Sequence, residues 1–183
     1  DVYKRQLRAN GNLWLINQNG IIFGPGSTVD VFGLVASTLD VSNDQFMAGG
    51  DMQLSGGGLG DTVNFGTINA AGGDVYLVGR NVANHGVIGA MDGNVGLAAG
   101  NSVLLKATGN ERVFVSAGEG SVLNTGEIRS AMVELKAHGN VGALAINNMG
   151  VIRATGSSSA NGRVLLSANQ GNICLLYTSD AAD

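Results

Sequence analysis

Cysteine, proline, aromatic and charged residues are all scarce in this 183-residue chain. A single cysteine, Cys174, leaves no partner for an internal disulfide and no thiolate metal cluster. One proline against thirty glycines excludes a collagen helix, because the glycines keep no three-residue period. Charged residues make up only 13%, and the formal net charge of −4 supplies no basic face for nucleic acid. No apolar run approaches the ~18 residues that span a membrane as a helix. Apolar residues nevertheless reach 44%, which excludes a disordered chain, since such chains are poor in Val, Leu and Ile. Glycine stands at about 16%, roughly twice ordinary usage. This balance predicts a Gly-rich, all-β chain.

The two ends share no pattern with the rest. Residues 1–6 and 174–183 look like translated sequencing-adapter read-through at the ends of a gene fragment, and are set aside from fold reasoning. The native part is expected to be 7–173, with eight basic and eleven acidic residues. It reads as an internal slice of a longer gene, with its signal peptide and N-terminal cap missing.

Within that span a phrase recurs, an Asn two places before a Gly and an Ile two places after it. It reads Asn64-Phe65-Gly66-Thr67-Ile68, Asn84-His85-Gly86-Val87-Ile88, Asn124-Thr125-Gly126-Glu127-Ile128 and Asn148-Met149-Gly150-Val151-Ile152. Successive glycines are 20, 40 and 24 residues apart, so the unit is about twenty residues with insertions. Each phrase is followed by alternating apolar residues, as in Asp74-Val75-Tyr76-Leu77, Asn94-Val95-Gly96-Leu97, Met132-Val133-Glu134-Leu135 and Arg163-Val164-Leu165-Leu166. The spacing also relates Val113 to Val133.

Alternation over four or five positions means short half-buried strands. The Gly, Asn and Ser residues between them are expected to supply tight turns and left-handed backbone. Twenty residues are too few for a βαβ crossover. They suit one coil of a parallel β-helix, with two or three strands per coil. Val75 then stacks on Val95, Leu77 on Leu97 and Asp74 on Asn94. Neighbouring strands lie about 4.8 Å apart, so roughly eight coils would give a rod on the order of 40 Å. A leucine-rich repeat has a similar period, but its Leu scaffold is absent. Residues 155–163 read as a loop, and 42–62 as a Gly-rich excursion from the rod.

The most distinctive stretch is Leu13-Trp14-Leu15-Ile16-Asn17-Gln18-Asn19-Gly20-Ile21-Ile22-Phe23, followed by Gly33-Leu34-Val35-Ala36-Ser37-Thr38-Leu39-Asp40-Val41-Ser42. From the residues alone, Trp14, Ile16, Ile21 and Phe23 lie on strands flanking an Asn-Gly turn. An Asn side chain can bond nearby backbone, and Gly20 supplies the positive φ such a turn needs.

These two stretches resemble the secretion domain of filamentous-haemagglutinin-like exoproteins in Gram-negative two-partner secretion, also called the haemagglutination activity domain. That family carries Asn-Pro-Asn-Gly-Ile, then a Gly-Leu-Val-Ala-Ser-Thr-Leu-Asp/Asn-Ile-like segment. Here Gln18 stands in the place of the proline, which would fix φ near −65°. The resemblance covers nearly all of 9–173. It implies a right-handed, pectin-lyase-like parallel β-helix and a non-enzymatic role in export. The implied partner is a TpsB-type outer-membrane transporter, whose periplasmic POTRA domains recognise the exported chain. An extended segment can add to a sheet edge, with main-chain bonds supplying affinity. Asn17, Asn19, Gly20 and Ile21 then belong to the secretion-critical region. The passenger is implied to be an adhesin, haemolysin or contact-dependent toxin, a virulence factor reaching the surface or medium through the periplasm. Any contact with host glycans or receptors would be made by that passenger.

Parallel β-helices also carry polysaccharide-cleaving enzymes, whose sites gather carboxylates on one face. Here the acids read as scattered, with Asp74 stacking on Asn94 rather than on another acid, so no catalytic residues are assigned. His85 occupies the variable place of an Asn-x-Gly turn, and His138 has no partner ligand, so no metal or cofactor is expected. Gly57-Gly58-Leu59-Gly60-Asp61 is similar to a calcium-binding nonapeptide, but its Asp is one place early and it occurs once. Arg80, Lys106, Arg112, Arg129, Lys136 and Arg153 read as solvated positions along the coils. The competing functional reading is a self-standing surface β-helix that binds glycans or host receptors along its strand faces.

Overall fold

The computed structural model describes residues 5–56, 58–156 and 162–176. The first coil consists of β1 (Gln6–Arg8), β2 (Asn12–Ile16) and β3 (Ile21–Phe23). The second begins with β4 (Thr28–Val31) and β5 (Gly33–Ser37). The chain then leaves the rod through α1 (Asn43–Ala48) and β6 (Met52–Ser55), and returns for β7 (Thr62–Asn64). The third coil is β8 (Thr67–Ala70), β9 (Val75–Gly79) and β10 (Val82–Asn84). In the fourth, β11 (Val87–Ala99) serves two faces. The hairpin β12 (Ser102–Leu105) and β13 (Val113–Ala117) leaves the rod before β14 (Val122–Asn124) closes the coil. The fifth is β15 (Glu127–Ala137) and β16 (Leu144–Asn148), and the sixth is β17 (Val151–Ala154), β18 (Arg163–Ala168) and β19 (Asn172–Leu175). β1 and β19 thus reach just outside the 7–173 span.

Every strand on the rod pairs in parallel with its counterpart one coil away. Three faces result, and their inward residues stack in register. Val29, Ile68, Ile88, Ile128 and Ile152 form one column. Leu34, Val75, Val95 and Val133 form a second, and Ala36, Leu77, Leu97 and Leu135 a third. Most of these side chains are wholly buried, and each contributes about 1.5–3 kcal/mol on leaving water. Val75 on Val95 and Leu77 on Leu97 are the pairs that the twenty-residue period demands. Asp74 meets Asn94 as expected, accepting its backbone N–H at 2.8 Å.

The Asn-x-Gly phrases form the corner between the third face and the first face of the next coil. Their asparagines make a buried ladder. Asn64 Nδ2 donates to Asn84 Oδ1 at 2.8 Å, Asn84 to Asn124 at 2.8 Å, and Asn124 to Asn148 at 2.7 Å. Phe23 pairs with Asn64 and closes the ladder on the first coil. The glycines have a different role from the expected one. Gly66, Gly86, Gly126 and Gly150 do not adopt positive φ. They are needed because the coils touch there: a Cβ on Gly86 would overlap the Gly66 carbonyl oxygen, and one on Gly126 the Gly86 oxygen. The residue between Asn and Gly points outward. Phe65 and His85 rings stack at 4.8 Å, and His85 Nδ1 lies 2.7 Å from Thr125 Oγ1.

Three expectations change. The described residues form six coils rather than eight, and five steps of about 4.8 Å give roughly 24 Å of stacked strands. The missing coils are the two excursions, which join as the antiparallel sheet β13-β12-β6 against the outside of the second face. Val113 belongs to that sheet, and the coil partner of Val133 is Val95. The excursion expected at 42–62 is present and includes α1, a short helix capped by Ser42, whose hydroxyl accepts from Gln45 N–H at 3.3 Å. Of the loop 155–163, residues 157–161 lie outside the described residues, as does Gly57 of the glycine run.

Asn84→Ala is expected to destabilise the domain by about 1–3 kcal/mol in chemical denaturation, because Asn124 Oδ1 loses its donor inside the coil. Gly86→Ala should cost about 3 kcal/mol or more, the upper end for over-packing, because the clash is with main chain.

Candidate functional site

Asn17, Gln18, Asn19 and Gly20 make the corner between β2 and β3, so the Asn-Gly turn joins two faces of one coil and is not a hairpin. Gly20 N–H donates to Asn17 O at 3.1 Å, and Asn19 N–H to Asn17 Oδ1 at 3.1 Å. Asn first and Gly fourth are the residues such a turn favours, and Pro is favoured second. Gln18 takes that second place, and its N–H donates to no described group, so either residue suits the backbone. Gly20 has φ +126°, the positive value expected of it. Asn17, Gln18 and Asn19 are exposed, whereas Gly20 and Ile21 are half-buried and Ile21 packs on the core.

The corner is seated on the second family stretch and on the end of the first excursion. Asn17 N–H donates to Ser37 O at 3.0 Å, Ile21 N–H to Asp61 O at 3.0 Å, and Gly60 N–H to Gln18 O at 3.2 Å. β5, which carries Gly33–Ser37, lies directly against β2. Thr38 Oγ1 then donates to Gly60 O at 3.0 Å, tying the stretch to the returning chain. Gly58 and Gly60 press against Thr38 and against Asn19-Gly20 too closely for any side chain. Residues 58–61 of the glycine run are therefore a seat for the corner. The two motifs, some fifteen residues apart in sequence, are neighbours in the fold.

The structure also assembles a polar cluster that the sequence reading missed. Outward residues of the second face run Trp14, Val35, Tyr76, Gly96 and Glu134 in register. The β12–β13 hairpin lies over them. Glu134 is 1% exposed and accepts from Asn94 Nδ2 at 2.9 Å, Arg112 N–H at 2.8 Å and Val113 N–H at 3.0 Å. Lys136, also buried, pairs with Glu111 and lies 3.6 Å from Glu134, with Phe114 beneath its ammonium. Arg112 Nη1 reaches Asp74 Oδ2, which also accepts from Tyr76 Oη at 3.1 Å. Burial pushes the Tyr76 hydroxyl well up, and the Asp74 charge adds to this, so it stays a donor. Burial works to lower the Arg112 guanidinium, but Asp74 beside it raises it on balance. Arg112 and Lys136 are thus paired and covered, not solvated. The acids Asp74, Glu111 and Glu134 gather on one side of the rod. The one sequence signal was the doubled spacing from Gly86 to Gly126, which reports the hairpin that covers them.

The family model described as the TPS secretion domain matches residues 6–174, and the chain belongs to that family, the domain of two-partner secretion. It is 33% identical over 178 residues to the heme/hemopexin-binding protein of Haemophilus influenzae (strain ATCC 51907 / DSM 11121 / KW20 / Rd), covering 90% of this chain. It spans only 20% of that relative's length. It is also similar to the crystal structure of the HMW1 secretion domain from Haemophilus influenzae, with a TM-score of 0.54 and 25% identity. That match covers 86% of this chain and 45% of the other.

Gly20→Ala should destabilise the domain by about 1–2 kcal/mol in denaturant melts, because an L side chain is strained at that φ.

Proposed function

We propose that this domain addresses a large secreted or surface-exposed exoprotein to the POTRA domains of its outer-membrane transporter, and does so without catalysis. Membership of the TPS secretion family over residues 6–174 is the observation that carries this reading. The corner of Asn17, Asn19, Gly20 and Ile21 is the recognition region within it. Two features support that assignment. Asn17 and Asn19 are exposed on the first coil, and the Asn19 side chain makes no described hydrogen bond. A side chain free of structural duty is available to a partner.

Strand addition needs an open edge. Among the described residues on the rod, strands of the first and sixth coils have a pairing partner on one side only, and the inner coils on both. Recognition through main-chain bonds therefore engages the chain before it folds, in its passage through the periplasm. Once outside, each finished coil presents the edge on which the next one forms, so the domain nucleates the β-helix that follows. The relative's name records heme and hemopexin binding for that protein. The activity of the exoprotein carrying this domain, whether adhesin, haemolysin or toxin, belongs to its passenger.

The test uses the full-length exoprotein with its own leader, expressed in a Gram-negative host with and without the partner transporter. Asn19→Ala should lower the secreted amount, up to about tenfold for one lost hydrogen bond to the transporter, at an unchanged melting midpoint. Unchanged export of that variant would remove the corner from recognition, and export without the transporter would overturn the reading.

A further inference from the structure

A cleft of about 410 Å³ runs along the corner between the first and second faces. It is lined from Trp14 on the first coil to Asp92 on the fourth, three steps of about 4.8 Å, or roughly 14 Å. Its other wall is the near end of the excursion sheet, including Arg112. Glycines keep its floor open: a Cβ on Gly72 or Gly73 would strike Phe32. Nothing in the secretion reading uses this cleft.

We propose that the cleft is a binding site for a short neutral oligosaccharide of two or three pyranose rings. Aromatic and polar groups share its lining, apolar surface punctuated by a few fixed polar atoms, as in a small-ligand site. Phe32 is 44% exposed, and Trp14 is half-buried with its ring set edge-to-face against Phe46 at 5.4 Å. Both offer apolar surface to the C–H face of a sugar ring. One coil beyond Phe32, the Asp74–Tyr76–Arg112 cluster is joined by hydrogen bonds, and its Asp and Arg side chains are a quarter exposed. Arg112 spends Nη1 on Asp74 and Nε on Gly109 O, while its Nη2 has no partner among the described residues. Asp92 is exposed and adds an acceptor, so hydroxyl groups meet both donors and acceptors.

Charge decides against an ionic ligand. Arg112 is matched by Asp74, and Lys106, lying over the Phe114 ring at 4.6 Å, is offset by Asp92 at the opposite wall. Backbone geometry decides against a peptide added as a strand. The strands bordering the cleft, β2, β5, β9 and β11, run across it and are paired with one another, so no open edge lies along it. A polyhydroxylated, uncharged chain is the chemistry that remains.

Trp14 is the only tryptophan, so its fluorescence reports on the cleft alone. The domain is titrated with maltotriose, chitotriose and lactose, with a heparin hexasaccharide and a capped valine tetrapeptide as controls. A saturable Trp14 change with at least one neutral saccharide is expected, weakened about tenfold by Phe32→Ala. Asp92→Ala should weaken it as well, and circular dichroism should be unchanged in both variants. The proposal is overturned by no saturable change with any neutral saccharide, by wild-type affinity in both variants, or by a response confined to heparin or the peptide. None of these outcomes bears on transporter recognition.

Discussion

Each coil of this molecule must come back to within one strand spacing of the coil before it, and the Asn-x-Gly corner is where that approach is closest. The glycines there touch the carbonyl oxygens of the neighbouring corner, and no other residue leaves room for this. The asparagines beside them turn the same approach into a ladder of amide hydrogen bonds, each coil donating to the next. Such a buried network is favourable when every member is satisfied and costly when one is missing. The three sheets take their register from it, because a corner fixed in height fixes the strands on both sides. The apolar columns of Ile, Val and Leu then follow with little freedom left to them.

Parallel sheets are ordinarily covered on both faces. In this rod the inner faces cover one another, and among the described residues only the second face has a further layer outside, built from the two excursions. That layer explains why charged residues are buried on a chain with so few of them. The hairpin brings backbone N–H groups of Arg112 and Val113 over the sheet, where they need an acceptor, and Glu134 provides it. Lys136 offsets that carboxylate in turn and pairs with Glu111 as well. Buried ion pairs add little net stability. Their effect here is positional, since they hold the hairpin at one height along the rod and so shape the cleft beside it.

The corner at Asn17–Ile21 combines these two themes. It obeys ordinary turn chemistry and needs no proline for its shape, yet it rests on the end of an excursion and on the neighbouring coil. Its backbone is committed to the fold, while the Asn19 side chain is not. A transporter that reads such a corner reads a feature whose geometry depends on the coil packing behind it. A passenger built from the same kind of repeat can continue the same stacking without a new design of core.

The parallel β-helix, the twenty-residue period and the stacking of Val75 on Val95 were legible in the chain, because each rests on local alternation or on a phrase repeated in sequence; the family was legible through the resemblance carried by residues 17–21 and 33–42. The turn at Gly20 was legible for the same reason, being set by four adjacent residues. The tertiary structure alone decided the number of coils, since an insertion of one repeat length, 101–121, looks in sequence like one more coil and folds as a hairpin. It also decided the fate of Arg112, Glu134 and Lys136. Strand alternation puts Glu134 and Lys136 on the outside of the rod. Whether that outside meets water or another sheet depends on where a distant excursion lands, and no local pattern carries that information.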